Sequence, residues 1–335
     1  MHQPAFTICL PAYNSATIIG DTLRSVLDQT WQDFEVIVVD DCSTDDTEGA
    51  VRSFRDNRIR YCRNDRNLGL PGNLAKCAEM AQGDYLYLLG NDDILSPVAL
   101  AQTKAAFDAD PDVALVTRPY YWFLVDDVDK AIRAVQPLPS VSNRPLSISD
   151  GEEIFSKILE TLGQISGLAY RRSLFVAPFS SDVFTTHIEP ALRVWRDHKV
   201  VLLRDYVVAV RVASSQTRHL SSIYDPSPTK TWIEMFDRVF PGSEFEKQRK
   251  WGYEHITKHV EGLVQIRCYA PAKQYWKEIG IFVAHRKRNL ISLRFWAYVL
   301  FLSLAPRDAI VAIADKVKPY MTGLPDTSTV HLARE

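Results

Sequence analysis

The sequence predicts an α/β fold, a mostly parallel sheet flanked by helices, followed by a helical carboxyl-terminal region. Three observations carry that expectation. Short apolar runs rich in Val, Ile, Leu and Tyr alternate with helical patterns through the first 120 residues. Such runs read as strands buried on both faces, and their alternation with helices builds a parallel sheet. Two of the runs end abruptly in acid pairs, Asp40-Asp41 after EVIVV and Asp92-Asp93 after YLYLLGN. Past about Ser214 the chain becomes aromatic and basic, with helical patterns such as WIEMFDRVF and HITKHVEGLVQIRCYA.

Taken in order, FTICL (6–10) is the first strand, and Ile19, Leu23, Val26 and Leu27 share one face of a helix over about 15–28. EVIVVD (35–40) is the second strand. Ser43, Thr44 and Asp45 are cap candidates for the helix after it, and Asp45-Asp46 suit a helix amino terminus, so that pair is left out of the site. RIRYCR (58–63) is a third strand. The next helix runs from about Leu70-Pro71 to Gly83, with Leu74, Cys77, Ala78 and Ala81 at core-facing spacing. YLYLL (85–89) follows as a strand, Ser96-Pro97 starts a helix, and VALVT (113–117) is another strand. From Tyr120 the regularity fades into a proline-bearing stretch before a helix over 150–162. The expected boundaries are a domain over 1–213, divided near 118, and a helical region over 214–335.

A chain of 335 residues with a net charge of −2 is large enough for two domains and lacks the basic balance expected of a nucleic-acid binder. Its five cysteines form no CxxC pair and fit free thiols. The opening MHQPAFTICLPAYN is not a secretory signal, and the longest apolar run, 295–305, is too short to span a bilayer. A cytoplasmic location is expected.

In a parallel sheet the strand ends bring together Pro11, Ala12, Tyr13 and Asn14, the Asp40-Asp41 pair, the loop 67–72, and Asn91, Asp92 and Asp93. That crevice suits a nucleotide diphosphate. Neither GxGxxG nor GxxxxGK[ST] occurs at these turns. A divalent cation, Mg²⁺ or Mn²⁺, held by Asp92 and Asp93 together with phosphate oxygens, is the natural alternative.

The motifs FTICLPAYN, SVLDQTWQDFEVIVVDDCSTDDT and RNLGLPGNLAKCAEMAQGDYLYLLGNDDILSP occur in this order, and over about 210 residues the chain resembles the family 2 glycosyltransferases. The resemblance implies a GT-A (Rossmann-like) fold, with a nucleotide-sugar half over 1–118 and an acceptor half over 119–213. It implies that Asp41 accepts the N3–H of a uracil-like base and that Pro11, Ala12 and Tyr13 line the base and ribose pocket. It places Asn14, Asn67, Gly69 and Asn73 near the nucleotide, Asp92 at the ribose or donor sugar, and Asp93 on the metal. Many members carry DxDD in the metal loop; here Gly90 replaces the first acid.

GQISGLAYRRSLF resembles the loop that opens the acceptor half, and Arg171-Arg172 offers guanidinium groups to a donor or acceptor phosphate, with Arg172 assigned to donor binding and a solvated basic turn as the plain alternative. THIEPALRVWRDHKVVLLRDYVVAVR resembles the helix that bears the general base. The register fixed by LRVWRDHKVVLL puts Thr186-His187 where the family has its acid pair. His187 and Glu189 are therefore both base candidates, with Glu189 preferred; a helix cap and a solvated first-turn acid are the plain alternative. His255 and His259 stand four apart without an HExxH glutamate and read as ordinary side chains.

Residues 286–320 combine Arg286, Lys287 and Arg288 with aromatic and apolar residues, a pattern of helices at a membrane surface, or else of helices packed in a core. The expectation assembled from these readings is an inverting, metal-dependent glycosyltransferase. It moves a hexosyl or N-acetylhexosaminyl group from a UDP-sugar to a glycan or polyprenyl-linked glycan in bacterial surface-polysaccharide synthesis, peripheral to the inner face of the plasma membrane. The alternatives are a nucleotide-sugar binding protein without catalysis and a sugar-phosphate nucleotidyltransferase.

Overall fold

The computed structural model describes residues 3–124, 127–175, 179–212, 224–225, 227–260, 262–317 (backbone only over 313–317) and 330–334. The chain divides into two compact units, one of residues 1–214 with 325–335 and one of residues 215–324.

The first unit opens with β1 (Phe6–Ala12), α1 (Ile19–Leu27), β2 (Phe34–Asp40), α2 (Thr47–Arg52), β3 (Ile59–Arg63), α3 (Gly69–Met80) and β4 (Tyr85–Leu88). Because β1 and β2 are buried at every position, each feeds two cores. Phe6, Ile8 and Leu10 pack with Ile19, Leu23 and Val26 of α1, whereas the thiol of Cys77 in α3 approaches Ile37 O on the other face. Then come β5 (Ile94–Leu95), α4 (Ala99–Asp108), β6 (Val113–Thr117), β7 (Tyr120–Phe123), β8 (Ala131–Val135), β9 (Pro145–Leu146), α5 (Glu152–Thr161), β10 (Ala169–Arg171), α6 (Ile188–Asp197), β11 (Lys199–Leu202) and β12 (Val208–Arg211).

Eight strands form the main sheet in the order β3-β2-β1-β4-β10-β6-β11-β9. The pairs β3-β2, β2-β1, β1-β4 and β6-β11 are parallel, and β10 and β9 run antiparallel to their neighbours. After β1 the chain winds outward to β2 and β3, then returns to β4 on the other side of β1. The strand order therefore reverses between β1 and β4, and a crevice opens beyond their carboxyl ends.

A second sheet, β5-β12-β7-β8, was not expected from the sequence. The helix starts also differ from the sequence expectation. Asp46, rather than Ser43, Thr44 or Asp45, caps α2 by accepting from Gly49 N, and Asp45 instead accepts from Ala16 N at 2.9 Å. Ser96-Pro97 makes a turn, and α4 begins two residues later. α3 ends at Met80, before Gly83.

The second unit is helical, with α7 (Pro228–Val239), α8 (Glu246–Lys258), α9 (Gly262–Tyr269), α10 (Ala272–His285), α11 (Leu293–Leu304) and α12 (Arg307–Val317). Phe282 and Phe295 stack at 6.4 Å, and Tyr275 donates to Val299 O, joining α10 to α11. The expected boundary at 213/214 lies outside the described residues. The expectation that everything after it belongs to the helical region is corrected at the tail. Val330 and Leu332 are buried with Tyr121, Phe123 and Ala209 of the second sheet, because this short apolar segment covers a face that β7 and β12 leave open. Among the described residues no helix is long and apolar enough to cross a membrane.

Candidate active site

The end of β1 is tied to the end of β2 by Asp41 N donating to Ala12 O at 2.8 Å. Pro11 and Ala12 are buried within β1, and Tyr13 and Asn14 emerge half-buried beyond it. Asn14, in the left-handed region at φ 49°, accepts from Thr44 N at 2.8 Å while its own N–H donates to Ser43 Oγ. Asparagine tolerates that backbone better than most residues, and its side chain here shapes the loop after β2.

The first acid pair divides structurally. Asp40 is fully buried and accepts from Ser43 N (2.7 Å) and the Tyr61 hydroxyl (2.5 Å), bracing the strand ends. Asp41 Oδ1 accepts from Leu68 N at 2.7 Å and Asn64 Nδ2 at 2.9 Å. Its Oδ2 has no hydrogen bond among the described residues. The turn that presents Leu68 N is closed by Asn67 Oδ1 accepting from Gly69 N, with Gly69 at φ +70°. Asn73 is buried beneath, donating to Val39 O and accepting from Asn64. Asn67, Gly69 and Asn73 thus converge on Asp41, as supports of its carboxylate.

The second pair sits at the switch between β1 and β4. Asp92 Oδ1 and Asp93 Oδ2 both stand 3.0 Å from the point where a side chain on Gly90 would begin, with Ser166 Oγ at 3.1 Å. Two carboxylates and a hydroxyl therefore occupy the space that a further acid at position 90 would need. Asp93 is buried; its Oδ2 accepts from the Ser166 hydroxyl and its Oδ1 from Arg211 N at 3.0 Å. Burial, and then the neighbouring Asp92 charge, push the Asp93 carboxyl up to about 7. A divalent cation would relieve both penalties, and two carboxylates are the usual protein share of a magnesium site completed by phosphate oxygens. The donor set fits such an ion. No group of three or more His, Cys, Asp or Glu that could hold a metal occurs among the described residues, where His255 and His259 are ring neighbours 4.9 Å apart.

Three residues at this site were not anticipated. Ser166 links the loop before β10 to the loop that carries Asp92-Asp93, since it also accepts from Gly90 N at 2.8 Å. Arg211 donates through Nε to Asp92 O and pairs with Asp21 of α1. Arg118, fully buried after β6, donates to Thr161 O and Gln164 O, and burial lowers its guanidinium to about 10. Gly167 makes room for it: at φ +82°, a Cβ there would lie 2.6 Å from Arg118 Nε. A basic residue closing the apolar run VALVT was a visible signal of the same kind as the acid pairs.

Two assignments are corrected. Arg172 donates to Gly83 O and Gln82 O, before the start of β4. It lies at the amino end of the strand whose carboxyl end bears Asp92-Asp93, about 15 Å of strand away, because antiparallel β10 carries the chain away from the crevice. His187 is buried, Nε2 meets Leu162 O at 2.8 Å, and burial lowers its imidazole to about 4. With Nδ1 also buried and without a hydrogen bond, neither ring nitrogen of His187 is open to an acceptor in this structure. Glu189, on the first turn of α6, is also buried, and its Oε1 is held by Arg193 at 2.7 Å.

Comparison with known proteins agrees with this architecture. The chain is 39% identical over 93 residues to the putative teichuronic acid biosynthesis glycosyltransferase TuaG of Bacillus subtilis, a match covering 27% of this chain and 37% of that protein. Matches to the first curated relatives span little more than a third of their length. Staphylococcus aureus TarS 1–349 in complex with UDP-GlcNAc superposes with a TM-score of 0.62 at 16% identity, covering 93% of this chain and 91% of that one. The mannosyltransferase PcManGT of Pyrobaculum calidifontis, in complex with GDP-Man and Mn²⁺, gives 0.54 at 15% identity, covering 95% and 88%. These likenesses show the GT-A fold. The family model described as glycosyl transferase family 2 matches residues 7–175, half of the chain, and the chain therefore belongs to that family.

Proposed function

We propose that the protein transfers a sugar, with inversion, from a nucleotide-diphosphate donor to a glycan hydroxyl. The observation that carries this reading is the convergence of Asp92 and Asp93 on one point at the sheet's switch, with Asp41 supported at the neighbouring strand end. The pair Asp92-Asp93 in such a crevice suits a diphosphate with its cation, and Asp41 suits a base edge. Asp41 Oδ2 is the acceptor for the N3–H of uracil, with Pro11, Ala12 and Tyr13 alongside. Asp92 and Asp93 would hold Mg²⁺ or Mn²⁺, which when bound stabilises charge on the departing diphosphate. TarS with UDP-GlcNAc supports a UDP-linked donor, and PcManGT with Mn²⁺ supports the metal.

The attacking hydroxyl must lose a proton. With His187 sealed, Glu189 is the candidate that remains, held in place by Arg193. TuaG, named for teichuronic acid synthesis, supports an acceptor in bacterial surface-polysaccharide assembly. A polyprenyl-linked glycan at the inner face of the plasma membrane is the acceptor form proposed.

The test is incubation with a panel of UDP- and GDP-sugars with and without Mg²⁺ or Mn²⁺. Slow metal-dependent hydrolysis of a UDP-sugar is expected. Tight donor binding with no metal-stimulated turnover would identify a binding protein instead, and synthesis of a nucleotide-sugar from a sugar phosphate would identify a nucleotidyltransferase.

A further inference from the structure

Among the described residues, the exposed large apolar side chains are concentrated in one place. Ten large hydrophobic residues are exposed among those described, and seven of them fall between positions 290 and 304. Leu293 is 88% exposed, Ile291 86% and Leu304 75%. α11 packs inward through Phe295, Val299 and Leu302. At about 100° per residue, Leu293, Trp296, Ala297, Leu300, Phe301 and Leu304 occupy the opposite side of the helix, within ~140° of arc. The helix is therefore apolar on the side that faces water as well as on the side that faces its neighbours, which an ordinary surface helix is not. Trp296 Nε1 donates to Leu290 O, so the exposed face of α11 continues onto the turn Lys287–Ile291.

The stretch of sequence that carries this face has charge of one sign. The 29 residues 279–307 contain no Asp or Glu, and they hold five Lys and Arg: Arg286, Lys287, Arg288, Arg294 and Arg307. Lys287 and Arg288 are exposed on the turn that carries Leu290 and Ile291.

We propose that α11 and the turn before it form a membrane-docking face that inserts Leu290, Ile291, Leu293, Leu300 and Leu304 among the lipids of an anionic bilayer. Lys287 and Arg288 meet the headgroups. An exposed apolar helix face needs a cover, and the basic rim selects which one. Two copies of this chain meeting through the patch would bring like-charged rims together, whereas an anionic leaflet attracts every one of these side chains. Helix α11 has 12 residues, too short to span a bilayer but suited to lying in its interface. The inference deepens the acceptor reading above by naming the surface at which the enzyme works, and it is tested without donor or acceptor so that either can fail alone.

The full chain is floated with vesicles of phosphatidylcholine alone or with one third phosphatidylglycerol. Binding to the anionic vesicles should be at least about tenfold stronger and should weaken as salt rises. Leu300→Glu with Leu304→Glu should abolish it, and Lys287→Glu with Arg288→Glu should reduce it by tenfold or more. Both pairs are exposed, and unchanged circular dichroism would confirm that the variants fold. Failure of the wild-type chain to bind either vesicle would overturn the proposal. So would a wild-type oligomer that Leu300→Glu converts to monomer, since a second copy would then be the cover.

Discussion

Asp93 and His187 are two buried ionisable side chains of the same unit with opposite consequences. The Asp93 carboxyl rises from 3.8 to about 7, so its contribution to stability is greatest below pH 4 and is lost as pH climbs to about 7. The His187 imidazole falls from 6.5 to about 4, so its contribution is complete above pH 6.5 and is lost as pH drops towards 4. Between those limits the two effects oppose each other. In metal-free protein at pH 8, Asp93→Asn should raise Tm, by about 2–4 °C for each kcal/mol of relieved burial, while metal-dependent donor binding is lost. Thermal scans and titration calorimetry check both, and near-normal metal-dependent binding by the variant would remove Asp93 from the metal site. His187→Gln keeps a donor for Leu162 O, so it should leave turnover within about threefold and flatten the acid-side loss of stability. Glu189→Gln should lose turnover at unchanged donor affinity. If instead His187→Gln is inactive and Glu189→Gln is active, the assignment of the base is reversed.

At the scale of elements, the strands β1, β2, β4 and β6 are legible to within two residues because strands buried on both faces read as nearly continuous apolar runs. The second sheet is not legible: β5 has two residues, and its partner β12 lies more than a hundred positions further on, so only tertiary pairing defines it. The same limit hid Ser166, whose bond to Asp93 joins residues 73 apart. The acid pairs announced the crevice, but its supports come from the loop between α5 and β10, anchored by buried Arg118. Gly167 is the residue that lets this loop close. Gly167→Ala would add strain at φ +82° and place a methyl 2.6 Å from both Arg118 Nε and Val208 Cγ2. A loss of about 1–3 kcal/mol is expected, together with weaker metal-dependent donor binding. Ser166→Ala removes a hydrogen bond that lowers the Asp93 carboxyl. The pH midpoint for metal-dependent donor binding should therefore move upward, and a midpoint that stays put or moves down would disconnect Ser166 from the site.

At the scale of the whole molecule, the second sheet of the first unit is covered by a segment from far along the chain. Val330 and Leu332 are buried against Tyr121, Phe123, Ala131 and Ala209 after the entire helical unit has intervened. Ala333 N donates to Tyr206 O at 2.9 Å, and the Ser96 hydroxyl donates to Ala333 O. The segment thus closes over β7 and β12, and the last residue of β12 is Arg211, whose N–H supports Asp93. A change at the tail should therefore reach the Asp92-Asp93 loop through β12 without touching any residue of the crevice. Leu332→Asp places a charge in this apolar contact, and a cost of several kcal/mol is on the scale of an unpaired buried charge. Hydrogen exchange should quicken at the amides of β7 and β12, and metal-dependent donor binding should weaken. The amides of α9 and α10 should keep their wild-type rates, since they belong to the other unit. Accelerated exchange confined to those helices would mean that the tail serves the helical unit and that the first unit ends before it.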